Sequence, residues 1–410
     1  MKKKALALGL ASLVLAGALL GGCGIVSSSS AQTGAAAQSS IAETSTAAVS
    51  GGYAATASAA TAEAESELFS KRDLAQTADL SEAAVVTLSD GETLTITEAG
   101  VYVLSGSAKE ARVVVKAGDE DKVQLVLDGL RITNSDKPCI LVESADKVFL
   151  TSAEGSENSL TVSGSFSGDE DAVIFSRDDL VLNGLGTVTV SSSADGVRTS
   201  DDLKLTGGTW IVTAANTAVK AHDSILACDG VYTLTAGSDA LHAEDNDDDT
   251  AGSILIQGGS FTVKAGDDGV HATTAVTVNG GTLSIEAAEG VEATQVIVND
   301  GELSITAADD GINAGRKSKS LSVKIEINGG KVTIAMGAGD TDGIDSNGDL
   351  IITGGVIDVT GQSPFDYDGS CTHSGGTIIV NGTQTDTVTN QMMGGGMRGG
   401  LGSGFGGNRR

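Results

Sequence analysis

Acidic and imidazole side chains recur at fixed spacing along this chain, and carboxylates and imidazoles so placed could hold cations. Asp195, Asp239, Asp268, Glu289, Asp310 and Asp342 each precede a small residue and an apolar one, in ADGVRT, SDALHA, DDGVHA, AEGVEA, DDGINA and TDGIDS. One further copy, NTAVKA, has Thr217 in the acidic place. If equivalent positions stack at the ~4.8 Å spacing of neighbouring strands, the carboxylates repel unless cations lie between them or their pKa values rise. Calcium takes several oxygens in flexible geometry, and turns with paired Asp supply them. The strongest candidate ligands are Asp267-Asp268, Asp309-Asp310 and the run 340–349, which carries Asp342, Asp345 and Asp349. That run is not an EF-hand loop, because Ile344 holds its fifth position and the Glu at the twelfth is missing. The competing reading makes these Asp turn formers that bond local backbone in water.

Three residues after the acidic place runs a second column: Arg198, Lys220, His242, His271, Glu292, Asn313 and Asp345. It passes from basic to acidic. Beside it Val197, Val219, Leu241, Val270, Val291, Ile312 and Ile344 belong to the core, so the column is expected to face solvent and to grip successive sugar units. A plain solvated face is the alternative. A metal site on His242 and His271 is disfavoured, since no Cys or third His shares the column. Two insertions leave the chain just after this column. Residues 244–252, EDNDDDTAG, are acidic, and residues 316–322, RKSKSLS, are basic. Three repeats apart, they are expected to stand about 14 Å from each other as walls of a groove over His271, Glu292 and Asn313. Arg316, Lys317 and Lys319 of the basic wall would meet ligand carboxylates directly, and the acidic wall would bind through calcium. Tolerated surface loops are the simpler alternative.

The elements that position these residues follow from the repeat. Eight copies from Asp171 to Asp342 are separated by 24, 22, 22, 29, 21, 21 and 32 residues, a period that signals stacked repeats. Within a copy, apolar residues alternate: Val276 and Val278 before Gly280-Gly281, then Leu283, Ile285 and Ala287. Period two means strand, and a Gly pair suits a turn that needs positive φ. One copy is therefore one coil of an all-β solenoid, a right-handed parallel β-helix, forming a rod of about 50 Å. An antiparallel sandwich would not keep Gly pairs and Asp in phase over seven steps.

The flanks differ. Residues 1–22 read as a lipoprotein signal: Lys2, Lys3 and Lys4, an apolar run, then Leu20-Gly21-Gly22-Cys23. Cys23 is the expected lipidation site, a two-chain anchor that holds the protein at the outer face of the membrane. Residues 23–66, rich in Ala, Ser and Thr, read as a tether. Residues 67–170 are strand-rich but loosely repetitive and should supply a cap and the first irregular coils. Residues 171–380 are the regular coils, and 381–410 a Gly/Met-rich tail. A formal net charge of −29 excludes nucleic acid as a direct partner. Beyond Cys23, the odd set Cys139, Cys228 and Cys371 predicts no disulfide framework, and Cys371, in the column of Leu203, Ile225 and Val276, is expected to be buried.

The segments ETLTITEAGVYVLSG, DKVQLVLDGLRI, ADKVFLTSAEGSENSLTV and DDLVLNGLGTVTV, followed by the DGV and NGG coils, resemble a family of secreted bacterial carbohydrate-binding-domain proteins known from clostridia. The resemblance covers roughly residues 67–380. It implies a fold similar to the parallel β-helix polysaccharide lyases, calcium held by aspartates, and binding to polysaccharide, including polygalacturonate. A lyase would need a base near the metal, and Lys220 and Arg198 are the only candidates. Thr217 thins the acids beside Lys220, and the family's members are binders, so the chain is expected to be non-catalytic. A structural adhesin without glycan preference is a further alternative. A flat cellulose platform is disfavoured, because aromatic residues are 3% of the chain and Trp210 falls on an inward position.

Overall fold

A computed structural model describes residues 68–245, 247–337 and 341–391. The signal, Cys23, the tether, Asp340 and the tail beyond residue 391 lie outside the described residues. Among the described residues the regular elements are strands, which form two sheets of 22 and 12 strands. Among the described strands the one antiparallel pair is Thr377–Val380 with Thr383–Thr385.

The 12-stranded sheet carries the repeat. Asp195–Thr199 pairs in parallel with Val219–Ala221, and the ladder continues through Leu241–Ala243, Asp268–Ala272, Glu289–Ala293, Ile312–Ala314 and Asp342–Ser346 to Ser363–Tyr367. It also runs backwards through Ala172–Ser176, Ile140–Ser144 and Arg112–Lys116 to Thr93–Ile96. The loosely repetitive stretch before residue 170 thus stacks on the same ladder as the regular copies. The larger sheet takes the rest of each copy. Ala275–Val278 and Thr282–Ala287 are joined at the Gly pair, where Gly281 has φ +84°, a value that L side chains avoid.

Packing explains the other recurrent Gly. A Cβ on Gly290 would collide with the carbonyl oxygen of Gly311 in the next copy and with Ile305 Cγ2. Gly311 stands in the same relation to Gly343 and Ile334. The small residue after each acid lets neighbouring copies close to sheet spacing. The apolar residue that follows then enters the core, and Val197, Val270, Val291, Ile312 and Ile344 are fully buried. In the other sheet Trp210, Tyr232 and Phe261 form one buried column in register, with Tyr232 and Phe261 stacked at 4.8 Å. Such alternation buries about 1.5–3 kcal/mol per large side chain. Cys139 is buried, whereas Cys371 is only half-buried at the margin of the core, because the hairpin beyond it covers it incompletely.

Candidate functional site

The two polar columns of the sequence lie side by side on the 12-stranded sheet. In the outer column Arg198 pairs with Lys220, Lys220 with His242, His242 with His271, His271 with Glu292, Glu292 with Asn313, and Asn313 with Asp345. The inner acids accept backbone N–H groups from the next copy. Asp195 accepts from Thr217 at 3.1 Å, Asp239 from Asp268 at 3.1 Å, and Asp310 from Asp342 at 3.2 Å.

The expectation that the outer column faces solvent needs correcting. His242 is 8% exposed and Glu292 7%, and the rest are half-buried. The cause is local pairing. An outer residue three positions along its strand reaches back to its own copy's acid: Arg198 to Asp195 at 3.8 Å, His242 to Asp239 at 2.6 Å, His271 to Asp268 at 2.6 Å. Arg198 also holds Asp171 at 2.7 Å. His242 Nε2 meets Glu244 at 3.2 Å, and the two imidazoles stack at 4.7 Å.

The groove between separate walls is also corrected. Asp249 of the acidic insertion accepts the Lys319 N–H at 3.1 Å and the Ser320 hydroxyl at 3.2 Å. The two insertions therefore touch. Lys317 reaches back to the column, its ammonium 2.6 Å from Glu292 and its N–H bound to Thr294, so it is engaged by the protein while staying exposed. Arg316 remains exposed.

Charge divides the columns into two halves. From Arg198 to His271, Arg, Lys and His side chains face the inner acids, although burial still raises Asp195 and Asp268. Burial would push the Asp239 carboxyl up, but His242 and the Asp268 N–H outweigh it and hold it below its ordinary value. His271 likewise resists burial. Held by Asp268 and by Glu292 at 3.0 Å, its pKa rises to about 10. From Glu289 onward the outer column is itself acidic or neutral. Burial, followed by neighbouring carboxylates, pushes Glu289 and Asp345 up to about 7 and Asp310 to about 6. Asp366 and Asp368 join this half by raising Asp345. Sequence reasoning missed them, although Asp366 stands one 21-residue step beyond Asp345; Ser363-Pro364 in place of Asp-Gly hid the copy. Three buried oxygens here, Asn313 Oδ1, Thr341 Oγ1 and Asp366 Oδ1, have no hydrogen-bond partner.

The remaining predicted ligands fall elsewhere. Asp267 and Asp309 are exposed at the turns before the strands. Asp349 opens a strand of the other sheet and binds the Ser370 N–H and hydroxyl, both at 2.8 Å, so it acts as a turn former and not with Asp345. A second acidic group, Asp179, Asp201 and Asp202, brings carboxylate oxygens within 4.8 Å of one another at the start of larger-sheet strands. Its signal, a D-D-L repeated at Asp178 and Asp201, was present in the sequence.

Residues 90–340 match the sequence model of a family described as carbohydrate-binding domain-containing protein. A protein of that description from Acetivibrio thermocellus is 38% identical over 120 residues, which is 28% of this chain and 42% of the relative. The match thus spans less than half of that relative's length. The gadolinium derivative of the polysaccharide lyase-like protein from C. thermocellum is a structural relative. Its TM-score is 0.50 at 29% identity, covering 54% of this chain and 96% of that one. With more than half of its length matched by the family's model, the chain belongs to the carbohydrate-binding domain-containing proteins.

Proposed function

We propose that this chain is a lipid-anchored cell-surface protein that binds acidic polysaccharide of the polygalacturonate kind, with calcium as a stabilising and bridging cation. The fold that carries it is a right-handed parallel β-helix. The observation behind the calcium reading is the uncompensated half of the site. Glu289, Asp310 and Asp342 hold the inner place of successive copies, Asp345 pairs in register with Asp366, and Asn313, Thr341 and Asp366 each carry a buried oxygen without a hydrogen-bond partner. The donors are all oxygen, as a hard cation requires. Asp195, Asp239 and Asp268 leave this ligand set, because Arg198, His242 and His271 already occupy their carboxylates. Calcium would supply charge neutralisation and open positions for uronate carboxylates. The chain's own residues do the rest: Asn313 orients Glu289 through a 3.0 Å hydrogen bond, and exposed Arg316 offers a bidentate contact to a ligand carboxylate.

We read the chain as a binder and not a lyase. Arg198, one of the two candidate bases, is engaged by Asp171 and Asp195. Retention on immobilised polygalacturonate should be strong with calcium and lost in chelator, with no ultraviolet absorbance from unsaturated uronates. Retention unchanged by chelator would refute the bridging role, and accumulation of unsaturated product would refute the binder reading.

A further inference from the structure

One point in the outer column differs from all the others. At the step from His271 to Glu292 an imidazole meets an acid of the next copy. His271 therefore has a carboxylate on both sides, Asp268 Oδ2 at 2.6 Å and Glu292 Oε2 at 3.0 Å from the same Nδ1. His242, one copy earlier, has Asp239 on Nδ1 but His271 as its neighbour in register. Candidate donor atoms of Asp268, His271 and Glu292 all lie within 4.8 Å of one another. Asp268 is 5% exposed and Glu292 7%, so this is a desolvated group and not a surface patch of acids.

We propose that Asp268, His271 and Glu292 form a binding site for a borderline-soft divalent cation, zinc, separate from the oxygen-only acidic run. The donor set decides the ion. Imidazole nitrogen with two carboxylate oxygens suits zinc, whereas calcium selects oxygen alone. Tetrahedral zinc with bonds of about 2.0–2.2 Å places its ligands about 3.3 Å apart. To reach that spacing His271 Nδ1 moves about 0.7 Å further from Asp268 Oδ2 and about 0.3 Å further from Glu292 Oε2. The supporting contacts are built. Lys317 holds Glu292 Oε1 at 2.6 Å, leaving Oε2 turned to His271. The stack on His242 fixes the His271 ring, with an interplanar angle of 5°. Outer contacts of this kind orient ligands at metal sites. On binding, the Nδ1–H bond of His271 breaks, its electron pair forms the bond to zinc, and the proton leaves to solvent. Three protein ligands leave the fourth position for water.

The site does not rest on the glycan reading, and its test is independent of it. The untagged, metal-stripped full chain is titrated with cobalt(II), a spectroscopic stand-in for zinc, and then with zinc in competition. The expected result is one ion per chain at this site with the visible absorption of tetrahedral cobalt, bleached by zinc and unaffected by excess calcium. His271→Gln should weaken binding at least tenfold, and His373→Gln, at a half-buried histidine of the other sheet, should not. The wild-type titration decides the matter even if His271→Gln does not fold. No tetrahedral cobalt band, displacement by equimolar calcium, or full-strength binding by a folded His271→Gln would each overturn the site.

Discussion

Asp345 shows how a single carboxyl registers its surroundings. Burial and then Asp310, Asp366, Asp342 and Asp368 raise it to about 7. Glu289 behaves alike, and Asp310 reaches about 6. A carboxyl whose folded pKa lies above its unfolded value of about 4 binds more protons when folded. Its linkage term therefore stabilises as pH falls from about 7 towards 4 and is lost as pH rises through 7. His271, raised to about 10, contributes in the same direction: its stability is present below its unfolded value and is lost on approaching pH 10. The calcium-free chain should thus melt at higher temperature at pH 5 than at pH 8, and added calcium should raise the pH 8 value most. A melting temperature that climbs with pH, or one indifferent to calcium at pH 8, would contradict this reading of the acidic half.

At the scale of elements, the strand carrying each acid exists because a small residue lets copies approach. In Gly290→Ala the new Cβ meets the Gly311 carbonyl and Ile305. Overpacking typically costs about 1–3 kcal/mol, and backbone on one side leaves little room for relaxation. A loss of about 2–3 kcal/mol in urea denaturation is expected. A change under about 0.5 kcal/mol would show that the copies are not this tightly stacked. Much of this was legible in the sequence. Period-two alternation around the Gly pairs gave the strands, and six steps, four of 21 or 22 residues and two of 29 and 32 that carry the insertions, put Arg198 through Asp345 in one register. What escaped was the reach of side chains. Spacing places His271 beside Glu292 but does not say that His271 turns back to Asp268 or that Glu292 is buried against His271 and Lys317. Nor does it say that Lys317, on a loop of free length, folds onto Glu292 or that Asp249 meets Lys319. Loop conformations carry no period, and Pro364 concealed the last copy, so Asp366 was overlooked.

Over the whole ladder, the charges explain one another. Arg and His side chains pair with the acids over the copies from Arg198 to His271, and the copies from Glu289 to Asp366 carry a surplus of acids. A chain of net charge −29 that binds a polyanion must use that surplus to hold cations, since direct contact would be repulsive. The most direct measurement is diffraction from crystals soaked in calcium and a short oligogalacturonate. The account predicts a cation bound by carboxylates among Glu289, Asp310, Asp342, Asp345 and Asp366, with a uronate carboxylate on the same ion. Cation-free density among those acids, with the sugar seated on another face, would contradict it.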